Sequence, residues 1–115
     1  RSDKPALIFS HYNPYNNRGV RPIKGMRDGS SLLKLLTERK HAKAYFYGHT
    51  HEWQHDLLDQ LHLINQPAVS YYFGKGHAHG WVDMKLTKTS AHLELHCINR
   101  THKQHGDLRQ ISLKN

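Results

Sequence analysis

The sequence predicts an α/β protein in which a mixed sheet is followed by an antiparallel C-terminal meander. Three observations carry that prediction. Two short apolar runs, at residues 6–9 and 44–47, bracket a leucine-rich stretch of helical period, which is the succession strand, loop, helix, strand. The second half is a series of short β-branched or aromatic segments separated by turn-forming residues. The length, 115 residues, suffices for one hydrophobic core and not for two.

The elements follow in order. Ala6-Leu7-Ile8-Phe9 is a continuous apolar run ending at Ser10-His11, as expected of a buried strand that delivers its last residues to the rim of a sheet. From Tyr12 to Asp28 the chain carries Pro14, Gly19, Pro22 and Gly25 without sustained period, so a long loop is expected there. A helix is expected over about residues 30–40, with Asp28, Ser30 or Ser31 as its cap and Leu32, Leu33, Leu35 and Leu36 on its apolar face. Ala44-Tyr45-Phe46-Tyr47 is a second buried strand, stopped by Gly48 and followed by His49 and His51. Segments 61–64, 68–73, 81–86 and 91–98 read as antiparallel strands and hairpins, broken by Gln66-Pro67, the loop 74–80 and Lys88-Thr89-Ser90. Val82, Met84 and Leu86 alternate with polar residues, as do Leu93, Leu95 and Cys97, so each of these two strands has one wet face, with His92 and His96 on it. Residues 100–115 form a polar tail in which 108–113 could make an edge strand.

Apolar residues make up 37% of the chain, which excludes collagenous, coiled-coil and fully disordered classes. No run approaches the roughly 18 apolar residues that span a bilayer, and the opening Arg1-Ser2-Asp3-Lys4-Pro5 lacks the apolar core of a secretion signal, so no membrane partner is expected. A single cysteine, Cys97, forms no internal disulfide and suits the cytosol. Seventeen Lys and Arg against nine Asp and Glu give a net charge of +8 and point to an anionic partner. Twelve histidines exceed what packing asks for and direct attention to metal or acid–base chemistry.

The constellation that could carry such chemistry is Gly48-His49-Thr50-His51 together with His11. Two imidazoles flank one residue where a strand ends, and the preceding glycine permits a sharp turn and close backbone approach. His11 holds the same strand-to-loop position on the first strand, and in open α/β sheets functional residues collect at the carboxyl ends of strands. A competing motif overlaps it. His51-Glu52-Trp53-Gln54-His55 has the His-Glu-x-x-His spacing that on a helix makes a zinc protease site. The basic residues Arg18, Arg21, Lys24 and Arg27 could clamp a polyphosphate or nucleotide, and His77-Ala78-His79 could serve a mobile lid or second metal site or be a plain polar turn.

The string Ala6-Leu7-Ile8-Phe9-Ser10-His11-Tyr12-Asn13-Pro14, the leucine-rich helix, and Tyr45-Phe46-Tyr47-Gly48-His49-Thr50-His51 together resemble the C-terminal half of calcineurin-like metallophosphoesterases. The resemblance runs to about Asn99. It implies one partial domain over residues 1–115, half of a four-layer αββα sandwich, whose N-terminal half would be its partner. It also implies a phosphoesterase that acts on phosphate esters with two metal ions, which could be Mn, Fe, Zn or Co. On position-by-position carry-over, His11 and His49 resemble ligands of one metal and His51 a ligand of the other. Asn13, Arg18 and Arg21 are the expected substrate contacts. In that family two cations about 3.5–4 Å apart neutralise the phosphoryl oxygens and activate water for in-line attack. The family's Asp-x-His, bridging Gly-Asp and Asn-His pairs, which precede the strand histidine, have no counterpart before His11. The chain is therefore expected to be a fragment of a longer enzyme, with half of a dinuclear site. The remaining alternative is a non-catalytic basic module binding nucleic acid or another anion.

Overall fold

The computed structural model describes residues 3–15, 24–70 and 76–115. Its elements are β1 (Ala6–Phe9), α1 (Gly29–Thr37), β2 (Ala42–Tyr47), β3 (Gln54–Leu58), β4 (Leu61–Asn65), β5 (Gly80–Leu86), β6 (Ser90–Cys97) and β7 (Leu108–Ser112). They form two sheets, one in the order β1-β2-β4-β3 and one in the order β5-β6-β7.

In the first sheet β1 and β4 both run parallel to β2, and β3 closes the far edge antiparallel to β4. This corrects the expectation that everything after the second strand is antiparallel. The cause is burial: β4 carries Leu61, Leu63, Ile64 and Asn65 at 0–3% exposure, and a strand covered on both faces belongs inside a sheet, beside β2. β3 then takes the edge, joined to β4 by a tight turn that holds Asp59 at φ 54. The second sheet is the expected meander, with β6 central and its Ala91, Leu93, Leu95 and Cys97 turned inward.

Period-2 alternation sends the two faces of the first sheet to different cores. Ala44, Phe46 and Ile64 meet Leu93, Leu95 and Ile111 of the second sheet, with Trp53 packed among them. Tyr45, Tyr47, Leu61 and Leu63 meet Leu33 and Leu36 of α1 on the opposite face. The layers are therefore helix, sheet, sheet. Burying each of the two leucines contributes about 1.5–3 kcal/mol, which outweighs the weak propensity of a nine-residue helix.

The helix is shorter than expected, ending at Thr37 rather than near Lys40. No apolar residue follows Leu36 to hold another turn against the sheet, and Arg39 donates its backbone N–H to Leu36 O at 3.1 Å, tightening the chain toward β2. Asp28 occupies the cap position without a side-chain cap bond. Of the segment 68–73 expected as a strand, the described part makes one isolated bridge, Ala68 to His79; residues 71–73 lie outside the described residues. No helix of the described residues is long and apolar enough to cross a membrane.

Candidate metal centre

The ladder between β1 and β2 continues past both strands and builds the site. Ser10 N–H donates to Phe46 O at 2.9 Å, and Gly48 N–H donates to His11 O at 2.9 Å. These bonds carry His11 to the side of Gly48-His49. There His49 Nδ1 lies 3.3 Å from His11 Nε2, with the rings edge-on at a centroid distance of 5.2 Å.

The turn that follows is strained in an informative place. Both His49 (φ 66) and His51 (φ 59) adopt the left-handed conformation, which costs a side-chain-bearing residue about 1–2 kcal/mol. Gly48 does not, and a Cβ there would meet His11 O at an ordinary 3.8 Å, so the glycine is not what permits the turn. Thr50 holds it instead. Its side chain is buried at 4% exposure and accepts a bond from Asn65 Nδ2 at 2.5 Å, Asn65 itself being 2% exposed at the end of β4. Thr50 N–H also donates to Gly48 O at 2.7 Å. The buried Thr50 is thus pinned inward between two histidines held in an uncommon backbone state. Such strain persists where neighbouring structure over-determines it, and it gathers at functional sites.

Burial, with the adjacent charges of His49 and His11, pushes the His51 imidazole below its ordinary pKa and favours the neutral form that can donate a lone pair. His11 and His49 have a spacing suited to shared ligation, since nitrogens 2.0–2.1 Å from one tetrahedral ion sit about 3.3 Å apart. Among the described residues, no three His, Cys, Asp or Glu side chains close around one point. The donors present therefore fit as part of a coordination sphere and not as a whole one.

The other expected site residues fare differently. Asn13 is 1% exposed and donates Nδ2 to Tyr15 O at 2.6 Å, so it shapes the loop and offers no exposed surface to a substrate. Arg18 and Arg21 lie outside the described residues. The zinc protease motif is overturned. Gln54–Leu58 is a strand and His51 is left-handed, so His51 and His55 share no helix face. His55 Nε2 instead pairs with His62 Nδ1 on β4 at 2.8 Å.

Tyr12 was not singled out by the sequence. Its half-exposed ring lies 4.6 Å from that of His49 and 5.2 Å from that of His11, forming one wall of the cluster. The available signal was its place directly after a strand-ending histidine. The loop leaving it is tied down by Tyr45 OH donating to Tyr12 O at 3.2 Å and by Tyr15 OH at 3.4 Å from both Tyr47 OH and Asp56 Oδ2. Burial raises the pKa of both Tyr15 and Tyr47, so both hydroxyls keep their protons at neutral pH.

No model of a protein family matches the chain. A "probable cyclic nucleotide phosphodiesterase" of Pseudoalteromonas sp. strain SM9913 is 30% identical over 104 residues, which is 90% of this chain and 39% of that protein. The chain thus spans about two fifths of the curated relative it matches. Among solved structures, a single-residue variant of Vps29 from Entamoeba histolytica superposes with a TM-score of 0.51 at 7% identity, over 85% of this chain and 52% of that one. A conserved protein of Streptococcus pneumoniae described as a predicted phosphoesterase gives 0.51 at 14% identity, over 84% and 59%. The sheet order and these likenesses agree that the chain has part of the fold seen in calcineurin-like metallophosphoesterases.

Proposed function

We propose that this chain supplies the C-terminal part of a metal-dependent phosphoesterase and that His11, His49 and His51 are metal ligands in it, His11 and His49 toward one ion and His51 toward a second. The observation that carries this is the pair of left-handed histidines at the end of β2, one of them 3.3 Å from the histidine at the end of β1. When bound, divalent ions would supply Lewis-acid charge at a phosphoryl oxygen. The chain's own part is positional. The β1–β2 ladder sets the spacing of His11 and His49, and the Thr50–Asn65 bond holds His49 and His51 on either side of a buried residue. Neutral imidazoles leave the charge of the ions undiminished for an anionic ester. The +8 net charge draws such an ester in, and Tyr12 offers it an aromatic wall. The name of the Pseudoalteromonas relative supports a phosphodiester as the substrate.

The test is hydrolysis of bis-nitrophenyl phosphate and of a cyclic nucleotide by the intact protein, with and without Mn²⁺, together with metal content. Turnover that requires metal and is lost in His49→Ala is the expected outcome. A His49→Ala variant that keeps both turnover and metal content would sink the ligand assignment. Absence of turnover with every metal would favour a basic anion-binding module instead.

A further inference from the structure

A concavity lies on the α1 side of the first sheet. It is a groove of about 620 Å³, within the roughly 300–1,000 Å³ of small-molecule sites. Pro14 and Tyr15 form one wall, Lys24 and Arg27 a second, and Ser30 and Leu33 of α1 the third. Among the described residues of the lining, Lys24 and Arg27 are the charged ones and no carboxylate joins them. Asp28 follows Arg27 but is not part of the lining, and Asp56 accepts the Tyr15 hydroxyl at the wall's outer end.

The groove is preformed. Met26 N–H donates to Asn13 O at 3.0 Å and Gly29 N–H to Met26 O at 3.2 Å, so the walls are bonded to each other. They also touch with no space for a side chain: a Cβ on Gly25 would fall 2.4 Å from the Tyr15 carbonyl carbon, and one on Gly29 would fall 1.6 Å from Pro14 O. Tyr15 is held in turn by Tyr47. Cations on a fixed backbone cost less to order around a ligand than cations on a mobile loop.

We propose that this groove is a second anion subsite, which takes a phosphoryl group of the substrate other than the one presented to His11 and His49. Arg27 offers a bidentate fork and Lys24 a point charge, both suited to phosphate oxygens. Pro14 is three residues beyond His11, so their Cα atoms are at most about 11 Å apart. A substrate that spans both places carries a second phosphate, as a nucleoside polyphosphate or a short oligonucleotide does. The location of the reacting phosphate rests on the phosphoesterase reading, whereas anion binding in the groove does not.

Calorimetry on the intact, metal-free protein tests it with pyrophosphate, adenosine diphosphate, the dinucleotide pApA and uncharged adenosine. The three anions are expected to bind and adenosine is not. Lys24→Ala/Arg27→Ala should weaken anion binding at least tenfold and remove most of its salt dependence, while the remote Lys85→Ala leaves it unchanged. Tighter binding of adenosine diphosphate identifies a nucleoside polyphosphate as the source of the phosphate, and tighter binding of pApA an oligonucleotide. Amide shifts on titration should centre on Tyr15 and Ser30. Anion binding that survives the double substitution, or shifts centred elsewhere, overturns the subsite, as does failure of every anion to bind. Because the readout is metal-free binding, each of these results leaves the His49→Ala hydrolysis test standing on its own.

Discussion

Replacing Gly29 by alanine tests how the loop that carries His11 is held. Gly29 opens α1 and lies against Pro14, where a Cβ would sit 1.6 Å from the carbonyl oxygen and 2.6 Å from the carbonyl carbon. Real Cβ contacts are essentially never under 3.0 Å, so the gap to the oxygen must open from 1.6 to at least 3.0 Å, a displacement of 1.4 Å between two backbones. Forced repacking of this kind costs about 1–3 kcal/mol. Alanine recovers up to about 1 kcal/mol through helix propensity, less at the first helical position. The net loss is about 1–2 kcal/mol, which for a chain of this size lowers the thermal midpoint by about 4–8 °C. Pro14 is three residues from His11, so the same displacement reaches the imidazole pair, and misplacement by about 1 Å can cost a site about 100-fold. Thermal unfolding and calorimetric titration of the intact protein with Zn²⁺ or Mn²⁺ read the two effects separately. A midpoint that is unchanged or raised, with unchanged metal affinity, would refute the argument, since helix propensity would then outweigh the contact and the loop would not depend on it.

Other substitutions probe the remaining contacts. His49→Asn keeps the thermal midpoint within a few degrees because asparagine tolerates the left-handed backbone, whereas His49→Val at φ 66 lowers stability by about 1–2 kcal/mol; equal midpoints for the two variants would show that the backbone there is unstrained. Trp53→Phe removes the 2.7 Å bond from Nε1 to Asp107 Oδ2 and costs about 1–2 kcal/mol in urea unfolding, less than for an abandoned carboxylate because Arg109 still pairs with Asp107 at 3.0 Å. Burial is the first cause that lowers the pKa of both His55 and His62, with the Arg109 charge adding to it at His55 and the His55 charge at His62. The folded state therefore binds fewer protons than the unfolded one, so stability is full above the unfolded value of about 6.5 and falls as pH drops through it. The midpoint should decline from pH 7 to pH 5, and His55→Gln/His62→Gln should flatten that decline; an unaltered slope would assign it to other groups.

Much of this protein could be read before any coordinates. The apolar runs at 6–9 and 44–47, the leucines of α1 and the alternation along β5 and β6 each depend on residues close in sequence, and each element formed at or near its expected place. Strand-ending histidines were legible for the same reason, because where an apolar run stops is a local fact. What lay beyond reach was non-local. The parallel placement of β4 beside β2 follows from burial on both faces, which comes from helix and sheet partners distant in the chain. His-Glu-x-x-His fits a helix by spacing alone, and only the pairing of 54–58 with β4 makes it a strand. The role expected of Gly48 passed to Thr50, because a buried asparagine at the end of β4 pins that residue and leaves two histidines to take the left-handed backbone. Composition and spacing by themselves determined which residues could bind a metal or an anion. Tertiary structure decided which of them meet, because the distance between two imidazoles is set by the register of strands some forty residues apart in sequence, and one sequence does not state that register.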